Sequence, residues 1–442
     1  MSNHIMVIGG GLAGCEAAFQ VAKRGLPVRL YEMRPQVMTP AHKSGKLAEL
    51  VCSSSLKSDS PTTAHGLLKR EMRALGSITL QCAATAAVPG GDALCVDREA
   101  FADNITDAIT SNPLIDVLRE EVSCIPAHRP CIIATGPLTS PALCDSIIEL
   151  TGANHLHFFD AIAPSVDFDS IDQSKIFRQS RYDKGEAAYL NCPMTQEQYE
   201  SFIDALLDAE IANLHLEEEK DTGYFEGCLP IEEIARRGRN NPAYSTMKPV
   251  GLTDPRTSRR PYAVVQLRQE NSEGSVYGMV GFQTQLRQSE QSRVFRMIPG
   301  LQRAEFVRYG AVHRNTYIDS PNLLRPSLYL KADEDSALLF AGQITGVEGY
   351  MESAATGIIA GINAARIMQG LQVVTLPPQT MIGSLLDYIA NCPIGDFQPM
   401  NSNFGILPEI AEKHPKKMRK QLKADRAQKA MDEFVGSLTS FS

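Results

Sequence analysis

The sequence predicts an α/β fold: a Rossmann-like unit interrupted by an inserted α+β domain. Three observations carry that prediction. Residues 5–32 read as apolar strand, glycine turn, helix, and a second strand ending in an acid. Two later apolar strands, near 131 and 338, also run into glycine turns. Between them, from about Asn154 to Val307, the pattern changes to short alternating strands and amphipathic helices with no second glycine fingerprint.

Ile5-Met6-Val7-Ile8 is a short buried strand, followed by Gly9-x-Gly11-x-x-Gly14. Gly9 permits the tight turn, Gly11 carries no side chain to hold off a pyrophosphate, and Gly14 lets helix and strand pack closely. The helix from Leu12 to about Lys23 has small residues, Ala13, Gly14, Ala17 and Ala18, where it must lie near the sheet. Its N-terminus offers free N–H groups and a positive dipole end to phosphates. Gly25-Leu26-Pro27 ends the helix, and Val28 to Glu32 forms the second strand. Glu32 stands at the usual distance of roughly 20 residues past the glycines, where a carboxylate accepts from ribose hydroxyls. An acid there disfavours a 2′-phosphate, so FAD or NAD is expected at this site in preference to NADP. The candidate cofactor-holding residues of this stretch are Gly9, Gly10, Gly11, Leu12, Ala13, Gly14 and Glu32.

At 442 residues the chain has room for two or three domains of ~100–200 residues. No apolar run approaches the ~20 residues that span a bilayer. The first apolar run is already the strand of the nucleotide fold, so no signal peptide and a cytoplasmic protein are expected. The ten cysteines are scattered, none as Cys-x-x-Cys, and no His joins them at zinc spacing, so no metal is expected. The net charge of −8 argues against an unspecific polyanion binder.

Thr39 to Lys46 is a polar loop. Cys52 is followed by Ser53-Ser54-Ser55, poor core material that suits a loop facing a ligand; the thiol is either packed or reactive. His65 to Leu75 has helical period. Ala83 to Val88 and Ala93 to Val96 read as strands around Pro89-Gly90-Gly91, and Asp97 caps a helix to about Ile109. Cys131 to Ser140 is a buried strand running into Thr135-Gly136, a pattern that passes beside the cofactor in two-dinucleotide flavoproteins. In the changed region, His155 to Phe159 and Tyr189 to Cys192 are strand-like, Thr195 to Asn213 helical, and Leu214 to Asp221 acidic.

Cys228 sits between Gly227 and Leu229-Pro230, a turn ahead of a helix, where a thiol becomes a better nucleophile. Arg236, Arg237, Arg239, Lys248, Arg256, Arg259 and Arg260 form either a solvated face or a phosphate-binding surface. Val264 to Arg268 pairs with Ser275 to Val280, and Thr284 to Ile298 is helical. Leu338 to Gly357 is strand, glycine turn and small-residue helix, returning to the nucleotide fold. Glu412 to Asp432 is a basic helix, either solvated or gripping RNA. The expected division is 1–163 and 308–442 for the dinucleotide-binding domain, with 164–307 inserted for substrate.

The motifs at 9–17 (GGGLAGCEA), 49–53 (ELVCS), 134–140 (ATGPLTS), 226–230 (EGCLP), 247–252 (MKPVGL), 341–350 (AGQITGVEGY) and 398–401 (QPMN), taken in this order, resemble the TrmFO family of bacterial folate- and FAD-dependent tRNA (uracil-5-)-methyltransferases. The likeness covers nearly the whole chain; the related GidA/MnmG flavoproteins share the glycine turns but carry an extra C-terminal domain. Only Arg239 to Tyr244 is looser than the family pattern. The resemblance implies FAD as cofactor, 5,10-methylenetetrahydrofolate and NADH or NADPH as co-substrates, and a uridine of the tRNA T-loop as acceptor. It implies Gly136, Gly342, Gln343, Gly346 and Tyr350 as further cofactor contacts, Tyr350 by stacking on flavin or base. It also implies that Cys52 lies close to the flavin and that Cys228 attacks uracil C6, with the one-carbon unit carried on reduced flavin. The alternatives are the same chemistry on ribosomal RNA, a flavin oxidoreductase for a small molecule, and a non-catalytic flavoprotein.

Overall fold

Residues 5–32 fold as their pattern requires: Ile5–Ile8 (β1), Leu12–Ala22 (α1) and Val28–Tyr31 (β2). The computed structural model describes residues 3–152, 156–183, 186–212, 229–331, 337–393, 396–410 and 415–439, with backbone alone at 158–160, 313–314, 416–417 and 439. Next come Ser55–Ser58 (β3), Ala64–Ala74 (α2), Ile78–Thr85 (α3), Ala87–Val88 (β4), Ala93–Val96 (β5), Arg98–Thr110 (α4), Ile115–Leu118 (β6) and Cys131–Ile133 (β7). Asp97 caps α4 as expected, accepting from the N–H groups of Glu99 and Ala100. Of the strand expected over Ala83 to Val88, Ala87–Val88 forms as β4, while Ala83 to Thr85 end helix α3. Its start is set by Ser77, which accepts from Leu80 N–H, and by Glu16 of α1, whose carboxylate accepts from Thr79 N–H at 2.9 Å. That second partner is too distant in sequence to be read from a window.

The middle of the chain holds Pro141–Thr151 (α5), Leu156–Ile162 (β8), Ser165–Asp167 (β9), Phe177–Arg178 (β10), Tyr189–Met194 (β11) and Gln196–Leu207 (α6). After these come Ile231–Arg236 (α7), Asn241–Tyr244 (α8), Ala263–Gln269 (β12), Val276–Met279 (β13), Gln288–Phe295 (α9) and Phe306–Arg308 (β14). Thr195 opens α6 with a capping box, but the helix stops at Leu207, short of the expected Asn213. The acidic run Leu214 to Asp221 lies outside the described residues. Helix α9 begins later than expected. Thr284 Oγ and Gln285 N–H donate to the buried Glu232 carboxylate at 3.0 and 2.7 Å, which holds those residues out of the helix.

The last part comprises Ala311–Tyr317 (β15), Ser320–Leu323 (α10), Leu338–Phe340 (β16), Tyr350–Met368 (α11), Met381–Asn391 (α12) and Lys416–Thr439 (α13). Among the described residues the strands form four sheets. The five-stranded one, β16-β7-β1-β2-β6, is parallel throughout. The six-stranded one, β10-β11-β12-β13-β9-β14, is antiparallel and takes its strands from between Ser165 and Arg308. A ribbon of β8 against β15 joins the two, and β3-β5-β4 forms a small antiparallel sheet.

Each large sheet has its own core. The parallel sheet packs with α1 and α11; Phe202, Phe282 and Phe295 fill the space beside the antiparallel one. Helices α1 and α11 approach so closely that a Cβ on Gly357 would lie 2.2 Å from Ala13 O. The small residues of both helices are what this contact demands. Helix α12 is held to α2 by Glu71, whose buried carboxylate accepts from Met381 and Ile382 N–H at 2.7 and 2.9 Å. Burial pushes that carboxyl up to about 8.

Candidate active site

The C-terminal ends of β1, β7 and β16 open on one cleft of about 1030 Å³. Of the residues expected to hold a cofactor, Gly9, Gly10, Gly11, Leu12, Ala13, Glu32, Gly136, Gly342, Gln343 and Tyr350 line it. Gly11 is the N-cap of α1 and supplies no capping side chain, so the first-turn N–H groups are left for a ligand. A Cβ built there meets no protein atom within 4 Å and points into open space. Gly14 lies behind the wall, where a Cβ would stand 1.8 Å from Gly9 O. Gly346 also stands off the wall, in a left-handed turn against the Phe397 ring. The open cradle at the helix end fits a dinucleotide pyrophosphate.

Glu32 reaches the cleft, but not as a bare carboxylate. One oxygen accepts from Gly10 N–H at 2.9 Å and from Arg34 Nη2 at 3.1 Å. The other accepts from the backbone N–H and Nε of Arg34, both at 2.9 Å. Burial alone would raise this carboxyl; the bonds and charge of Arg34 outweigh it and hold the group below its usual range. The Glu32 carboxylate is thus an acceptor already fixed by Arg34, a residue the sequence reading missed.

A second cavity of about 1460 Å³ continues from the first. Val51, Pro137, Leu138, Gln343 and Tyr350 line both. Cys52 is half-buried in its wall. The Tyr350 hydroxyl oxygen accepts from the N–H groups of Cys52 and Ser53 at 2.7 and 3.2 Å. Burial, and then the nearby Cys52, push this hydroxyl well above its usual range. Its stacking was the expectation; its visible role is to pin the Cys52 loop.

The antiparallel sheet grips the same loop from the other side. Arg268 of β12 donates to Ser53 Oγ at 2.7 Å, and Arg308 of β14 donates to Val51 O at 3.3 Å. Arg308 is steadied by Ser165 Oγ at 3.2 Å and by Glu270 at 3.4 Å. Burial lowers the Arg308 guanidinium and Glu270 counters it; the Cys52 charge also reaches it.

A buried acid faces the cavity from α11. Glu352 accepts from Ser402 N–H at 3.0 Å and Ser402 Oγ at 2.7 Å. His65 Nδ1 stands 3.5 Å from its carboxylate and Lys57 Nζ 3.7 Å. Burial would raise the carboxyl, but Lys57 and the bonds from His65 and Ser402 hold it far below its usual range. Beneath Lys57, the fully buried Lys69 donates to Ser58 O at 2.8 Å, and burial pushes its ammonium down to about 8. Lys57 and His65 lie far along the chain from Glu352 and Ser402, and only the fold brings them together.

Cys228 lies outside the described residues. The chain described from Leu229 enters α7, and Ile231 N–H donates at 2.7 Å to the carbonyl of Gln283, which lines the Cys52 cavity. The basic residues divide. Arg236 and Arg237 face Glu233 at 3.6 and 3.8 Å, Arg239 meets Asp204 at 2.6 Å, and Arg256 meets Asp254 at 2.8 Å. Lys248, Arg259 and Arg260 are exposed. In α13, Lys423 is turned inward onto Glu409 at 2.9 Å and the carbonyls of Phe404 and Leu407, whereas Arg419 and Lys420 are exposed. No helix among the described residues is long and apolar enough to cross a membrane.

The family described as "Glucose inhibited division protein A" matches residues 4–372. A protein of Desulforudis audaxviator (strain MP104C), named methylenetetrahydrofolate–tRNA-(uracil-5-)-methyltransferase TrmFO, is 54% identical over 439 residues, 99% of each chain. The protein of the same name from Syntrophomonas wolfei subsp. wolfei is 55% identical, over 98% of this chain and 99% of its own. Among solved structures, Aquifex aeolicus GidA in its form II crystal superposes with a TM-score of 0.71 at 16% identity. The superposition covers 98% of this chain and 73% of that one, a likeness of fold.

Proposed function

The chain belongs to the TrmFO family within the wider GidA group, and from that premise we propose that it is a methylenetetrahydrofolate- and FAD-dependent tRNA (uracil-5-)-methyltransferase acting on a T-loop uridine. Residues 1–163 and 308–442 hold the cofactor in this reading, and 164–307 meets the RNA. The acceptor RNA and the folate are substrates, NADH or NADPH is the reductant, and the cytoplasm is the site of action. The observation that carries the reading is the continuity of the two cavities. It sets Cys52 in the same cleft as the glycine cradle, in a chain whose full length matches its named relatives.

FAD, when bound, supplies the electrons and a carrier for the one-carbon unit. The chain's own residues do the rest. The first turn of α1 holds the pyrophosphate, and Glu32, fixed by Arg34, holds the ribose. Tyr350, Arg268 and Arg308 fix the loop that presents Cys52. Uracil C5 is a poor nucleophile. A Cys228 thiolate adding at C6 forms an S–C6 bond and moves an electron pair to C5, which then takes up the one-carbon unit. The C5 proton passes to a base, and Cys52 fills that role. Loss of that proton expels the thiolate and restores the ring, and the carbon, which arrives at the methylene level, becomes methyl with a hydride drawn ultimately from NADH or NADPH.

The test is incubation of the purified protein with unmodified tRNA, NADH and labelled methylenetetrahydrofolate, followed by nucleoside analysis. Labelled 5-methyluridine is expected from the parent, and none from Cys52→Ala or Cys228→Ala at equal flavin content. A parent that reduces its flavin but leaves tRNA unlabelled overturns the reading. Methylation that survives in either cysteine variant overturns that residue's role.

A further inference from the structure

Three aromatic side chains are exposed among the described residues: Tyr182 at 63%, Tyr244 at 81% and Tyr262 at 37%. All three lie on or against the segment from Ala243 to Tyr262. The Tyr182 ring rests on Gly251, within 3.0 Å of where a Cβ would stand. Tyr262 packs its ring 5.3 Å from that of Tyr199, whose hydroxyl accepts from Ala243 N–H, next to Tyr244. The loop between them is one continuous piece, held by Arg181 donating to the carbonyls of Lys248 and Val250 at 2.7 and 2.9 Å. Met247 and Leu252 anchor it inward, at 0% and 2% exposure. The rings are therefore presented by a fixed surface.

The charge on this surface opposes that of the chain. Between Arg239 and Tyr262 there are five cations and one acid, Asp254, in a protein of net charge −8. Asp254 is used by Arg256 and Arg239 by Asp204. Lys248, Arg259 and Arg260 are left exposed, with no ion pair to a described residue. Cations that track a backbone beside rings on which bases stack are the composition of a single-strand-binding surface. Its place also suits one. Strand β12 starts beside Tyr262 and carries Arg268 into the Cys52 cavity six residues later. At ~3.3 Å per residue, surface and cavity are about 20 Å apart.

We propose that Tyr182, Tyr244 and Tyr262, with Lys248, Arg259 and Arg260, form the surface on which the substrate RNA docks beside its target base. The tyrosines stack unpaired bases and the cations meet phosphates. This rests on the tRNA methyltransferase reading and assigns the RNA a place.

The experiment measures binding of unmodified tRNA to the flavin-loaded protein by fluorescence anisotropy across a salt series. Tyr182→Ala with Tyr244→Ala is expected to weaken binding ~10-fold or more, as loss of stacked bases does. Arg259→Gln with Arg260→Gln is expected to lower the slope of log K against log salt by about 1.4, the single-strand value for two phosphate contacts. Flavin content and melting temperature serve as integrity controls, and Lys248→Glu is a third, independent surface variant. If the parent binds tRNA and all three variants bind it equally well, this surface is overturned and the tRNA reading stands. If the parent binds no tRNA, the tRNA reading falls and this proposal with it.

Discussion

Replacing Gly11 and Gly14 separately distinguishes the two jobs of the glycine turn. Gly11 has φ −76° and ψ −173°, extended backbone that alanine adopts without strain. Its added methyl meets no protein atom within 4 Å. The flavin-free Gly11→Ala protein should therefore melt within about 1 °C of the parent, as a surface change with no contact does. The methyl instead enters the space over the first turn of α1, where phosphate oxygens would approach the N–H groups. Losing two charge-assisted hydrogen bonds at about 1.5–3 kcal/mol each is worth about 3–6 kcal/mol, or ~10²–10⁴ in FAD affinity. Gly14→Ala differs in kind. Its Cβ would stand 1.8 Å from Gly9 O where ordinary contact begins at 3.4 Å, so helix and turn must part by 1.6 Å. That overpacking costs about 1–3 kcal/mol with or without flavin. Titration of FAD into the two flavin-free variants, with thermal melts of each, separates the effects. A Gly11→Ala protein that holds FAD as tightly as the parent would show that the pyrophosphate does not lie on this turn.

Three further outcomes are expected. Tyr350→Phe removes the acceptor of two N–H groups, about 1–3 kcal/mol for each one left unpaired; Cys52 should then alkylate faster with iodoacetamide, and an unchanged rate refutes the pinning. Arg308→Gln takes a positive charge and one backbone bond from the Cys52 loop, so the pH midpoint of Cys52 alkylation should rise, with Arg308→Lys restoring most of it; an unshifted midpoint refutes the charge coupling. Glu71 is raised from 4.5 to about 8 in the fold, so the folded state keeps a proton there that the unfolded chain releases, and stability falls as pH rises through that window. Urea melts at pH 5 and pH 8 should differ less in Glu71→Gln than in the parent, by a margin on the order of 1 kcal/mol or more; equal differences refute the assignment.

The parallel-sheet half was legible because its signals are local. Gly9, Gly11, Gly14 and Glu32 lie within one strand–turn–helix–strand unit; the small residues of α1 were read as facing the sheet, and Ala13 and Ala17 instead admit α11. What escaped depends on partners far away. Arg34 follows Glu32 by two residues, yet its importance comes from being buried. Helix α3 was misread because Glu16, on another helix, helps hold its first turn. The Lys57, His65, Glu352 and Ser402 cluster gives no pattern at all in one dimension. Tyr350 was singled out, but as a stacking ring; the N–H groups it accepts from are 298 and 297 residues away.

The paired strands β8 and β15 run side by side from Leu156 opposite Tyr317 to Ile162 opposite Ala311. The antiparallel sheet thus stands on a stalk whose two feet are neighbours. A module mounted this way can be lengthened, trimmed or exchanged without re-registering a single strand of the parallel sheet below. Selection can then alter what is recognised on top so long as Arg268 and Arg308 keep their hold on the Cys52 loop below.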